Sequence, residues 1–431
     1  MADIAAFRAL RYDPSRVSIS AVVTQPYDKI TPAMQERYYD ASPYNLVRII
    51  LGKKNASDGP ADNAYTRAAA SFSDWRRQGI LVQDDQPAIY PYVQDFAPPG
   101  GVQAQRRGFI ALGRIEDYSA QVVFRHEQTL AKPKADRLDL LRATRGHFGQ
   151  IFMLYSDPAG EIDALLAANS SPEVQTIDEY SVSHKLWKLT GPQVVEKVRE
   201  KMRDKKLIIA DGHHRYETAL NYRNERRAGA SGSPNAPYEF VMMTFVNMDS
   251  PGLVVLPTHR VVHGLTGFSS DVLRDKARAY FRVEEIDPAL DDHRAAARLR
   301  EAGRSGTALL GVTTNRAFLF DSPKPGNDNV FAGLSDRQRS LDVVQLHRGL
   351  LESVLGLSEE SIRNQQNISY LRDADEAIAQ VRRGAANVAF LMNPARVEQV
   401  RDIAFAGEVL PQKSTDFYPK VLSGLAIYAL E

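Results

Sequence analysis

The chain contains no cysteine. That excludes disulfides, thiolate nucleophiles and cysteine-ligated zinc together. Net charge is almost absent too: 54 lysines and arginines stand against 53 aspartates and glutamates, a formal +1. So even a balance gives no overall attraction for nucleic acid or a membrane surface, and no stable nucleic-acid partner is expected. Any electrostatic function must come from local clusters. Long apolar runs are missing as well. No stretch approaches the roughly 20 residues of a membrane helix. The opening MADIAAFRALRYDPSRV carries arginines and no apolar signal-peptide core. The expectation is a cytoplasmic protein with no membrane partner.

Missing motifs narrow the chemistry further. There is no Gly-x4-Gly-Lys-Ser/Thr phosphate loop and no Gly-x-Gly-x-x-Gly after a strand. The protein-kinase catalytic-loop and Asp-Phe-Gly signatures are absent, as is a Gly-x-Ser-x-Gly elbow. Phosphate handling would need another device.

What is present is an ordinary globular balance. Apolar residues make up 43% of 431 positions, enough for more than one core. Residues 63–81 show helical spacing at Tyr65, Ala68, Phe72 and Trp75. AIYPYVQDF and RRGFIALGRI read as a strand pair, and IFMLYSD as a short buried strand. QVVEKVREKMRDK reads as an amphipathic helix leading into strand LIIA. The last third alternates helices, among them VVQLHRGLLESVLGL, with strands such as TALLGVTT and ANVAFLMN. The expected fold is α/β of the mixed α+β kind and multi-lobed. Its expected lobes are 1–160, a central unit 180–265 and a C-terminal lobe 266–431.

The densest chemistry is at residues 207–220, LIIADGHHRYETAL. A strand there ends in Asp-Gly and opens a helix. The first amides of a helix have no intrahelical acceptor and share the positive end of its dipole, which suits an anion. Gly212 permits the turn and a close approach. Arg215 can grip phosphate with two parallel hydrogen bonds. His213 and His214 add groups tunable near neutrality. Asp211 would be repelled by phosphate unless it holds a metal ion or takes a proton. Against this stands Asp211 as a plain N-cap with histidines packed on the sheet. A two-histidine zinc site would call for spacing of three or four.

Other clusters join it as candidates. FRHEQTLAKPKADRL packs Arg125, His126, Glu127, Lys132, Lys134 and Arg137 together. Glu127 is a candidate base or metal ligand, His126 a catalytic candidate, and Lys132, Lys134 and Arg137 candidate phosphate binders. Its rival reading is a solvated charged loop. Asp28 in QPYDKI sits in a proline-bounded loop, as a turn former or a catalytic carboxylate. QKSTDFYPKVLSGL offers Lys413 and Lys420 as phosphate binders flanking Ser414 and Thr415.

IADGHHRYETAL resembles the signature of a large bacterial family, the domain-of-unknown-function family 1015. QPYDKI, SPYNLVRI, FRHEQTLAKPKADRLDLLRAT and QKSTDFYPKVLSGL resemble its other pieces. The five residues Asp-Gly-His-His-Arg also resemble those of the ParB/sulfiredoxin-like superfamily, which includes free-serine kinases. That resemblance implies a ParB/sulfiredoxin-like central unit and a small-molecule kinase. It would phosphorylate free L-serine to O-phosphoserine, with pyrophosphate or a nucleotide (ATP or ADP) as donor. Mg2+ would be the cofactor, held near Asp211 or Glu127. Two other readings stay open. One is a nucleotide-binding or nucleotide-hydrolysing regulator. The other is a metal-dependent phosphohydrolase built on His126, Glu127, His213 and His214. Homo-oligomerisation is also left open.

Overall fold

A computed structural model describes residues 1–127, 131–167, 170–229 and 232–431, without the side chains of 131–133. The fold is mixed α/β, as expected. Its contacts divide the chain into two compact units. The first comprises Met1–Arg125, Thr129–Val254 and Pro419–Glu431; the second comprises His126–Gln128 and Val255–Tyr418. The segments 1–160 and 180–265, expected as separate lobes, contribute strands to one sheet of the first unit. The reason is pairing. The hairpin of residues 90–114, legible in sequence, takes Phe240–Asn247 as its next neighbour, so no boundary can fall between them.

In the first unit the strands are β1 (Ile4–Ala5), β2 (Tyr90–Phe96), β3 (Ala104–Arg114), β4 (Val123–Phe124) and β5 (Ile151–Tyr155). They continue as β6 (Val174–Ile177), β7 (Ser183–Leu186), β8 (Leu207–Asp211) and β9 (Phe240–Asn247). The sheet order is β4-β8-β5-β9-β3-β2-β7-β6, with β1 also paired to β3. The central strands are buried throughout, so they read as continuous apolar runs rather than alternating ones. Phe109, Met153, Ile209, Met243 and Phe245 form the core under helices α3 (Pro192–Met202) and α4 (His213–Gly229). A second core gathers Phe72 and Trp75 of α1 (Ala64–Arg77), Leu140 of α2 (Ala131–Thr144) and Phe148. Helix α1 starts at Asn63 in a reciprocal capping box with Thr66, which explains its sharp start.

The second unit has a six-stranded sheet. Ala308–Val312, Ala317–Asp321 and Val388–Met392 are buried along their whole length, and helices Asp292–Ala302 and Ala374–Arg382 cover one face. On the other core, the segment VVQLHRGLLESVLGL is helical as expected, and it is wound as a π-helix over Gln345–Val354. Gly349 lies there against Phe281, where an added Cβ would come within 2.9 Å of the ring. Among the described residues no helix is long and apolar enough to cross a membrane.

Candidate functional site

The Asp-Gly turn is built as the sequence implies. Leu207, Ile208, Ile209 and Ala210 are buried, and the ladder between β8 and β5 shifts between Ile209 and Asp211. Irregularities of this kind bend a strand and re-aim a side chain at its end. Gly212 follows with φ +94°, a left-handed conformation open to glycine. Tyr216 donates its amide to the Gly212 carbonyl, which opens α4. The Arg215 side chain folds back over the turn, as helical side chains lean toward the N-terminus. A Cβ on Gly212 would stand 2.9 Å from Arg215 Nε. Gly212→Ala is therefore expected to cost about 1–2 kcal/mol from backbone strain alone and to loosen Arg215. Thermal unfolding with and without pyrophosphate checks both effects.

Asp211 is clamped by two cations, one on each oxygen. Arg215 Nη2 donates to Oδ2 at 2.7 Å and Lys420 Nζ to Oδ1 at 3.2 Å. Burial pushes the Asp211 carboxyl up. The attractions of Lys420, Arg215 and Lys29 outweigh it and hold the group well below the usual carboxylate range. Arg106 also acts on Asp211; burial pulls its own guanidinium down to about 10. One carboxylate thus faces four cationic groups at a helix start.

A buried polar network sets Lys420 in place. Arg106 donates to the Pro419 carbonyl and to Gln94 Oε1, and its guanidinium lies 4.6 Å over the Phe152 ring. Gln94 Nε2 donates to the Lys420 carbonyl at 2.9 Å, and the Leu422 amide donates to Tyr92 Oη. Tyr92 Oη in turn bonds His184 Nδ1 at 2.6 Å, and His184 Nε2 meets Asp178 at 3.1 Å. Strands β2, β3 and β7 therefore fix residues 419–422, and with them the ammonium on Asp211.

The remaining candidates fall as follows. His213 is buried and His214 half-buried in the first turn of α4. Asp28 is exposed in a short turn of Tyr27–Lys29, and its charge is felt by Tyr27 together with those of Arg137, Arg215 and Asp211. Lys134 is committed to Glu217 on α4, Nζ to Oε2 at 2.8 Å. Lys132 lies outside the described side chains. Arg137 stacks on Tyr27, 4.2 Å from its centroid, and lines a cavity shared with Arg215. His126, Glu127 and Lys413 belong to the second unit. There, Glu127 Oε1 accepts from the amides of Ser414 and Thr415 and from Thr415 Oγ1, while His126 Nε2 lies 2.8 Å from the same hydroxyl. Lys413 is exposed, and its carbonyl accepts from the buried Arg260. The two charge-rich segments read separately in the sequence thus meet each other, through backbone amides as much as side chains.

Lys29, Arg106 and Tyr27 were not singled out by the sequence. Lys29 adjoins Asp28 in QPYDKI, the one available signal. An arginine in a strand such as RRGFIALGRI carries none. Among the described residues no group of three or more histidine, aspartate and glutamate side chains is disposed to hold a metal ion. Both oxygens of Asp211 are already bonded to cations. The carboxylate expected to hold Mg2+ is thus already engaged by Arg215 and Lys420.

A cavity beside Arg215 opens to solvent, and about 590 Å³ of space lies between its walls when that open solvent is counted. Ile50, Leu140, Leu141, Phe148 and Val241 form apolar walls, and Tyr27, Arg137, His147, Thr218 and Ser423 add polar groups.

A family model described as a protein of unknown function (DUF1015) matches residues 4–344, and the chain belongs to that family. No curated protein matches it. Among solved structures, a free serine kinase in complex with AMP is similar at 14% identity and TM-score 0.36, over 70% of this chain and 89% of that one. SbnI with a C-terminal truncation, from Staphylococcus aureus, is similar at 9% identity and TM-score 0.35, over 74% of this chain and 87% of that one. A conserved hypothetical protein from Pyrococcus furiosus is similar at 13% identity and TM-score 0.34, over 69% and 87%.

Proposed function

We propose that the chain is a small-molecule kinase that transfers a phosphoryl group to a hydroxyl. One observation carries the reading: a single carboxylate, Asp211, is outnumbered by Arg215, Lys420, Lys29 and Arg106 at the start of a 17-residue helix. Phosphoryl transfer asks mainly for positioning and for charge to offset that on the moving group. The excess of cations and the first amides of α4 supply both. The acceptor oxygen forms its bond to phosphorus as the donor's bridging P–O bond breaks, and the electron pair of that bond leaves on the donor oxygen. The hydroxyl proton must be taken up. Asp211 is a poor base because its cations lower its proton affinity. Its role here is to hold Arg215 and Lys420 in register. His214, half-buried on the first turn, takes the proton in this proposal. Free L-serine is the first acceptor to test, and pyrophosphate, ATP and ADP are the donors.

Incubating the purified chain with serine or another hydroxy acid, magnesium and each donor in turn is expected to yield a phosphorylated acceptor, read by phosphorus NMR and mass spectrometry. Donor consumption without any phosphorylated acceptor, across serine and other small alcohols, would sink the proposal.

A further inference from the structure

The cavity next to Arg215 has walls that a bare phosphate site does not need. Its described lining contains two guanidiniums, Arg137 and Arg215, and no carboxylate. Its other titratable groups carry no charge at neutral pH. Burial pushes the His147 imidazole down to about 4, and burial, with Asp28 nearby, raises the Tyr27 phenol to about 12. One face therefore presents two guanidiniums, each already paired with a carboxylate outside the lining, Arg137 with Asp136 and Arg215 with Asp211. Beside these guanidiniums and the polar Tyr27, His147, Thr218 and Ser423, the walls Ile50, Leu140, Leu141, Phe148 and Val241 are aliphatic or aromatic. A cavity of this make-up favours a ligand with one acid group and an apolar body. Thr218 adds a separate observation. It lines the cavity at 4% exposure, and its hydroxyl makes no hydrogen bond among the described residues. A buried hydroxyl without a partner is costly, and a bound polar group relieves that cost.

We infer that this cavity seats the phosphoryl acceptor, and that the acceptor is an amphipathic hydroxy acid larger than serine. Its acid group is drawn to the guanidinium face, its apolar body fills the cavity, and its hydroxyl is presented toward the Gly212 turn. The inference rests on the kinase reading. Free serine has a single hydroxymethyl side chain and leaves the aliphatic walls uncovered.

Binding alone tests it, without donor or turnover. In calorimetric titrations of the whole chain, 3-phenyllactate is expected to bind at least about tenfold more tightly than L-serine or the neutral 3-phenylpropanol. Leu140→Trp, which fills the cavity from α2, is expected to weaken 3-phenyllactate by about tenfold or more while leaving pyrophosphate affinity unchanged. Thr218→Val is expected to weaken 3-phenyllactate by roughly three- to tenfold while the melting midpoint holds or rises. A merely structural hydroxyl would move the midpoint down and leave affinity alone. Serine binding as tightly as 3-phenyllactate overturns the inference, as does Leu140→Trp with affinity within about twofold of the parent. Should Leu140→Trp fail to fold, unchanged affinity in Thr218→Val overturns it instead. Phosphoserine formation without 3-phenyllactate binding removes the cavity assignment alone. Binding of 3-phenyllactate with no phosphorylated product from any acceptor supports the cavity and removes the kinase reading.

Discussion

Arg215→Ala is expected to lower phosphoryl transfer by roughly 10²- to 10³-fold, the usual cost of deleting one preorganised charge donor from a transition-state site. The geometry makes the case. The guanidinium is held on two sides, by Asp211 Oδ2 and by the Gln150 carbonyl, and it packs against Gly212 and Gly149. Those two bonds use two of its five N–H donors. The side chain is thus fixed before any ligand arrives, at the edge of the turn where phosphate would sit. Arg215→Lys keeps the charge and loses the planar fork, so it is expected to recover only part of the loss. Some stability goes too, about 1–3 kcal/mol, because Asp211 loses one charged partner. Transfer rates and pyrophosphate affinity should therefore be compared well below the melting midpoint. Pyrophosphate affinity in Arg215→Ala within about twofold of the parent would place the anion elsewhere.

The part of this site written locally was legible in the sequence, and the part assembled from afar was not. LIIA followed by Asp-Gly predicts a buried strand and a turn, and the structure has both. The cations that answer Asp211 come from elsewhere in the chain: Lys420 is 209 positions on, and Lys29 and Arg106 precede the motif. No spacing rule links them. Arg106 was hidden for a second reason. A strand arginine normally points to solvent, whereas this one is 2% exposed, stacked on Phe152 and bonded to a backbone carbonyl. Glu127 shows the same limit. Its density of charged neighbours drew attention, but its partners include the amides of Ser414 and Thr415, which no side-chain pattern encodes. The division into units failed to show for a related reason. Strands β2, β3 and β9 are each readable, yet their adjacency is set by long-range pairing.

Removing the carboxylate itself should produce an opposite pair of effects. Asp211→Ala is expected to destabilise the chain by about 3–5 kcal/mol, the cost of leaving buried charges without their counter-ion. Lys420 is 8% exposed and Arg215 13%, so water can do little to compensate. The same change leaves the cations free to attract an anion. Pyrophosphate is therefore expected to raise the stability of Asp211→Ala by more than it raises that of the parent, for which a hundredfold excess over Kd is worth about 2.7 kcal/mol. Urea unfolding with and without pyrophosphate gives both numbers. Acid supplies an independent check. The folded-state proton affinity of Asp211 is lowered from an unperturbed 3.8, so its stabilisation is complete well above that pH and is lost progressively as pH falls from there through the lower folded value. The stability gap between the parent and Asp211→Asn should be flat from about pH 6 to 8 and should close in strong acid. A gap that instead opened as pH fell, or an alanine variant that pyrophosphate left unchanged, would mean that Asp211 is not the counter-ion of an anion site.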